Sequence, residues 1–134
     1  MVMNKTILGI AALLGTLAVI LGAMGAHALK SQLTPESLNS FQTGVQYQMY
    51  HALFLLFIGG NKQLINRHKK EIFAIVLAGV CCFSGSIYLI TTSAITGIDF
   101  KPFAWITPIG GVFLILGWIL LGIRVLKYGK TVNS

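Results

Sequence analysis

The sequence predicts an all-α integral membrane protein, a four-helix up-and-down bundle with both termini in the cytoplasm (N-in/C-in). Three observations predict it. Hydrophobic residues make up 55% of the 134 residues and charged residues only 10%, where soluble domains run nearer ~25% charged. Four apolar stretches, at about residues 6–28, 41–60, 72–95 and 107–126, are each long enough for a hydrocarbon core of roughly 30 Å. The basic residues then alternate by side. Lys5, Lys62, Arg67, Lys69, Lys70, Arg124, Lys127 and Lys130 fall on one side, and Lys30 and Lys101 on the other. Eight against two is the positive-inside bias, which puts the termini and the middle loop in the cytoplasm.

The four stretches consume most of the chain, so residues 1–134 form a single transmembrane domain with no separate catalytic module. The formal charge of +7 does not point to nucleic acid, because the cations mark helix ends rather than one continuous face. Placed there, they favour anionic lipid headgroups. The expected partners are the lipid bilayer and a second copy or another membrane protein, with no nucleic acid.

The first span begins after Lys5 and runs through ILGIAALLGTLAVILGAMGAHAL. Ala26-His27-Ala28 resembles a signal-peptidase site, but the apolar run from Ile7 to Ala26 exceeds the ~7–15 residues of a signal core and suits a span. Ala11, Gly15, Ala18, Gly22 and Ala26 recur every three or four positions, the small-xxx-small pattern that lets membrane helices approach closely. Gly25 belongs with them.

Thr34-Pro35-Glu36 has the form of a helix start: a Thr cap, Pro at the first position, an acid in the first turn. The second helix therefore begins at Pro35, enters the bilayer near Phe41 and stops at Gly59-Gly60-Asn61. NKQLINRHKKE, residues 61–71, is the polar loop, with His68 expected in solvent. The third span carries a second small-residue stripe of Ala74, Ala78, Cys82 and Gly85 or Ser86. Tyr88 and the nearby Thr/Ser residues suit the membrane interface. Adjacent Cys81 and Cys82, with no acid or His beside them, are expected as small buried packing residues rather than a disulfide or a metal site. In the loop that follows, Phe103 and Trp105 suit an aromatic belt, and Asp99 and Lys101 a local pair. Thr107-Pro108 repeats the cap signature, and Gly110, Gly111 and Gly117 offer close packing on the last span.

The polar chemistry is concentrated in FQTGVQYQMYHAL, residues 41–53. At about 100° per residue, Thr43, Gln46, Tyr47, Gln48, Tyr50 and His51 cover roughly half the helix, centred near Tyr47. Polar groups facing hydrocarbon are costly, so this half is expected to face the bundle, leaving Val45, Met49, Ala52 and Leu53 toward lipid. His51 falls near the midplane, where an ionisable residue is a functional candidate. Its ordinary pKa of about 6.5 suits proton exchange. The candidate polar cluster is His51, Tyr47, Gln48, Gln46 and His27, with His27 near the outer end of the first span. Such a cluster either ties the helices together by hydrogen bonds or lines a path.

Enzymatic parts are lacking. The acids Glu36, Glu71 and Asp99 all lie near loops or helix ends, so no intramembrane carboxylate pair is available. There is no HExxH or Cys/His ligand cluster. The Gly-rich pieces follow no strand and precede no Lys-Ser/Thr. His27 and His51 sit at different depths for a haem pair. No catalytic residue, metal site or cofactor is expected.

Four pieces in order, GAMGAHAL (22–29), TGVQYQMYHAL (43–53), FSGSIY (83–88) and ITPIGG (106–111) with Gly117-Trp118, resemble the YgdD/YwdK family of small bacterial membrane proteins (domain-of-unknown-function family 423). The resemblance covers nearly the whole chain. It implies a multi-pass four-helix protein of the bacterial plasma membrane and no particular activity. Two roles are therefore expected in competition: a non-enzymatic protein of membrane or envelope integrity and assembly, or a small oligomeric transporter or channel with a polar path around His51.

Overall fold

The computed structural model describes residues 2–128. Lys130, one of the eight cations counted above, lies outside them. Every regular element among the described residues is helical. Helix α1 spans Lys5–Ala26 and α2 spans Pro35–Gly60. Helix α3 spans Asn66–Thr91 and contains a π-helical turn at Cys81–Gly85. A short α4 (Ser93–Thr96) and a 3₁₀ turn (Lys101–Phe103) lead to α5, Ile106–Tyr128. Three segments are long and apolar enough to cross a membrane: Lys5–Ala26, Asn66–Thr91 and Lys101–Tyr128. Helix α2 is equally long but carries the polar run in its first half, which lowers its apolar character.

The caps follow from local chemistry. Asn4 Oδ1 accepts from the Ile7 amide at 3.1 Å and opens α1. Thr34 Oγ1 accepts from the Ser37 amide at 3.2 Å, with Pro35 at the first position of α2. Asn61 caps the turn after α2 by accepting from the amides of Gln63 and Leu64. Gly97 ends α4 with φ 73°, a left-handed conformation that favours glycine.

Small residues set the helix register. Helices α1 and α2 run antiparallel. A methyl group at Gly25 would lie 3.3 Å from the Phe41 ring, one at Gly22 would lie 3.4 Å from Val45, and one at Gly15 would lie 3.9 Å from Ala52. Farther along, Gly59 packs on Ile7 and Leu8, and the Asn4 amide donates to the Gly59 carbonyl at 2.9 Å. Helices α3 and α5 are also antiparallel. Gly110 lies against the backbone of Cys82 and Phe83, Leu114 covers Gly79, and Gly117 seats Val76. Between these pairs, Gly44 of α2 meets Ile87 and Tyr88 of α3. Ile7, Ala11, Leu55, Ile58, Ile72 and Val76 form the centre of the main core.

Several expectations change. Helix α3 starts at Asn66, inside the segment read as a polar loop, because Leu64, His68, Ile72 and Val76 recur every four residues and all are buried. His68 is therefore 7% exposed rather than solvated, with its ring 5.0 Å from Tyr128. Lys69 is fully buried, and its ammonium donates to the Val2 carbonyl at 3.0 Å. The small-residue stripe of α3 packs only in its outer half: Ala74 and Ala78 are exposed and nothing lies within 4 Å of a methyl group at Gly85, whereas Cys82 lies against Gly110 and Ser86 is buried. Gly79 and Ser84 pack beside them, on the side turned toward the neighbouring helices. Cys81 is exposed and Cys82 half-buried, both free thiols. Thr107 is not the cap of the last helix, which already starts at Ile106; its hydroxyl bonds to Ser86 instead. Asp99 accepts from the Lys101 backbone amide, not from its ammonium.

Candidate functional site

The inward face of α2 is made by Phe41, Gly44, Gln48, His51, Leu55 and Ile58, which recur at helical spacing and are all buried. Large apolar and small residues decide this face, and Gln48 and His51 are carried in with them. The face is therefore centred on Gln48 and His51. The expected centre, Tyr47, is 41% exposed, and Gln46 is exposed on the same side. Ala52, expected toward lipid, is buried against Gly15 because the α1–α2 contact needs a small residue there.

Each inward polar group bonds a different helix. Gln48 Nε2 donates to the Leu14 carbonyl of α1 at 2.9 Å. Its Oε1 accepts from the Tyr88 hydroxyl of α3 at 2.7 Å, so Tyr88 points inward rather than to an interface. One side chain thus joins three helices. Ser84, in the π turn, donates to the Gly44 carbonyl at 2.7 Å. Ser86, two residues on, donates to the Cys82 carbonyl at 2.5 Å and accepts from Thr107 of α5 at 2.6 Å. The Cys82 carbonyl can only accept, which assigns the serine hydrogen to it and the threonine hydrogen to Ser86.

His51 is 4% exposed and has both ring nitrogens engaged. Nδ1 lies 2.6 Å from the Tyr47 carbonyl, and the Trp118 indole N–H donates to Nε2 at 3.2 Å. An indole nitrogen is a donor only, so Nε2 accepts and Nδ1 carries the hydrogen. Phe54 and Trp118 close the site, their ring centroids 4.4 Å apart. Beside it a crevice of about 290 Å³ opens on the side of the molecule, lined by Tyr47, His51, Phe83, Gly111, Leu114, Ile115 and Trp118. Its walls are apolar and aromatic. The chemistry available there is hydrogen bonding at one imidazole, with no carboxylate or thiol in the lining.

His27 does not join this group. It is exposed just past α1, level with Phe41, about ten residues or ~15 Å along α2 from His51. Of the glycines expected to pack helices, Gly15, Gly22, Gly25, Gly110, Gly111 and Gly117 lie within 4 Å of a neighbouring helix and Gly85 does not.

A polar group at the other end was not expected from the sequence. Asn4 Nδ2 donates to Asn66 Oδ1 at 2.6 Å. Glu71 pairs with Arg124 of α5 at 2.7 Å and with Arg67, one turn away, at 3.2 Å. The Arg124 guanidinium also sits 5.8 Å from the Tyr128 ring centre. The signal was present as a lone acid, Glu71, beside basic helix ends.

The family described as "Protein of unknown function (DUF423)" matches residues 21–111. That range includes α2, the π turn and the Gly110 contact. The chain belongs to the DUF423 family. A UPF0382 membrane protein of Staphylococcus aureus (strain bovine RF122 / ET3-1) is 36% identical over 124 residues, covering 92% of this DUF423 chain and 98% of its own. The UPF0382 membrane protein YwdK of Bacillus subtilis (strain 168) is 35% identical over 126 residues, with the same coverage. A UPF0382 membrane protein of Haemophilus influenzae is 35% identical over 119 residues, covering 89% of this chain and 92% of its own. No solved structure matches this DUF423 chain.

Proposed function

We propose that this DUF423 protein is a multi-pass four-helix bundle of the bacterial plasma membrane, N-in/C-in, with a non-enzymatic role in membrane or envelope integrity and assembly. The observation that carries the reading is where the inward polar groups of α2 go. Gln48 and His51 are engaged by α1, α3, α5 and the backbone of α2 itself. Such bonds hold helices together at ~1 kcal/mol each, and they occupy both ring nitrogens of His51. Four crossings are supported by α2 itself: its 26 residues reach about 39 Å and lie antiparallel along α1. The orientation rests on the concentration of cations at the end shared by Lys5, Lys62, Arg67 and Lys127.

The orientation is tested by single cysteines in a Cys81→Ser/Cys82→Ser chain. An impermeant maleimide on intact cells is expected to label Ser31→Cys and to reach Lys62→Cys only after permeabilisation. Labelling of Lys62→Cys in intact cells reverses the topology.

The crevice beside His51 favours a second reading, a small oligomeric transporter or channel with a polar path around that residue. Its apolar walls and the occupied imidazole weigh against it. Proton flux into liposomes decides between the two. Wild type and His51→Ala are expected to match protein-free vesicles. A wild-type flux several-fold above that level, lost in His51→Ala, replaces the scaffold reading with transport.

A further inference from the structure

The polar residues of α2 divide into two sets. Those turned inward all have hydrogen-bond partners. Gln42, Gln46, Tyr47 and Tyr50, all exposed, make no side-chain hydrogen bond among the described residues. Tyr47 edges the crevice beside His51, while Gln42, Gln46 and Tyr50 recur every four residues and so form one stripe, continued by the exposed Leu53 and Phe57. The α1–α2 register gives their depth. Gly22 faces Val45 and Gly15 faces Ala52, which places Gln46 level with Leu21 and Tyr50 level with Leu17. Both levels lie inside the apolar run of α1, about 7 Å and 13 Å from its Ala26 end. At these levels the exposed residues of α1 include Leu13, Leu17 and Ile20, all apolar. Tyr50 is 54% exposed. A carboxamide and a phenol left bare in hydrocarbon have lost water without gaining a partner, which is unfavourable for both.

We infer that this stripe is covered by the same stripe of a second copy, in a dimer whose two-fold axis runs along α2 near Gln46. The chemistry selects the occupant. The stripe is uncharged, and a carboxamide carries both donor and acceptor, so Gln46 of one copy satisfies Gln46 of the other. A two-fold interface brings each patch onto itself and requires that self-complementarity. Glutamines at this depth hydrogen-bond across membrane helices. The inference rests on α2 crossing the membrane, as proposed above.

Oxidative cross-linking in native membranes and in proteoliposomes of the purified full chain tests it, in the Cys81→Ser/Cys82→Ser background. A disulfide needs Cα atoms within roughly 4.4–6.8 Å, which only residues at the axis reach. Gln46→Cys is expected to give a covalent dimer at least tenfold faster than Leu13→Cys on α1 or Ile119→Cys on α5. In uncross-linked vesicles carrying donor- and acceptor-labelled chains, Gln46→Leu is expected to lower energy transfer at least threefold at equal protein density. Cross-linking of Gln46→Cys no faster than the controls overturns the dimer, as does a cross-link in cells only to a chain of different mass. Maleimide accessibility of Ser31→Cys and Lys62→Cys on the same vesicles separates the two failures. Opposite-side labelling leaves the crossing intact and removes the dimer alone. Same-side labelling removes the crossing as well.

Discussion

Gly110→Val is expected to unseat α5 from α3 and to be the most damaging single change in the chain. A Cβ at this position overlaps the backbone nitrogen of Phe83 and crowds the Cys82 carbonyl carbon. Backbone cannot rotate aside as a side chain can, so the two helices must separate along the contact. Separation also strips Leu114 from Gly79 and Val76 from Gly117. Overpacking of this kind costs about 3 kcal/mol or more, at the upper end of its usual range. The fully buried residues of α5 are Gly110, Leu114 and Gly117, so the closest packing of the helix lies along this one contact. The measurement is the fraction of purified protein that keeps its helix packing during titration with sodium dodecyl sulfate, read by the fluorescence of Trp118 in a Trp105→Phe background. Gly122→Val is the matched control, because nothing lies within 4 Å of a methyl group there. Equal loss in both variants contradicts the contact.

Gln48→Leu is expected to destabilise the packed state by about 2 kcal/mol, from two lost interhelical bonds, one of which leaves a phenol unpaired in an apolar site. Tyr88→Phe removes only the second of the Gln48 bonds and is expected to cost about 1 kcal/mol. The double variant is expected to cost less than the sum, since the Tyr88–Gln48 bond can be lost only once. Additive losses in the same detergent titration remove the bond from the account.

The parts of the fold that the sequence made legible are those where one local rule acts alone. Thr34-Pro35-Glu36 reads directly as the start of α2, because a cap, a fixed φ and a first-turn acid agree. Gly110 and Gly117 read as contact points because only very small residues allow such approach. The start of α3 did not read, because Lys69 and His68 share helical positions with Ile72 and Val76 and polarity hides the period. Polarity alone centres the inward face of α2 on Tyr47, because a general cost of polar exposure weighs all six polar residues alike. Packing overrides that cost locally. Gly44, Leu55 and Ile58 take the inside, Gln48 and His51 share their side, and Gln46 and Tyr50 do not. Nothing in a single sequence distinguishes a glutamine bonded to its own bundle from one turned away from it.

The π turn at Cys81–Gly85 sets the angular phase of everything beyond it in α3. A helix advances about 100° per residue and a π turn absorbs roughly one residue of that advance, so the same residues wound as regular α-helix would rotate the outer half of α3 by about that angle. Tyr88 would swing off Gln48 and Ser86 off Thr107, while Ile72 and Val76 stayed where they are. The turn therefore works as an offset between two otherwise independent halves of one rod. The inner half answers to α1 and the apolar core, the outer half to Gln48 and Thr107, and one extra residue reconciles them. Length along this helix is consequently not interchangeable: one residue lost from this turn leaves both halves facing as they do, whereas one lost from a regular stretch between them is a change of direction.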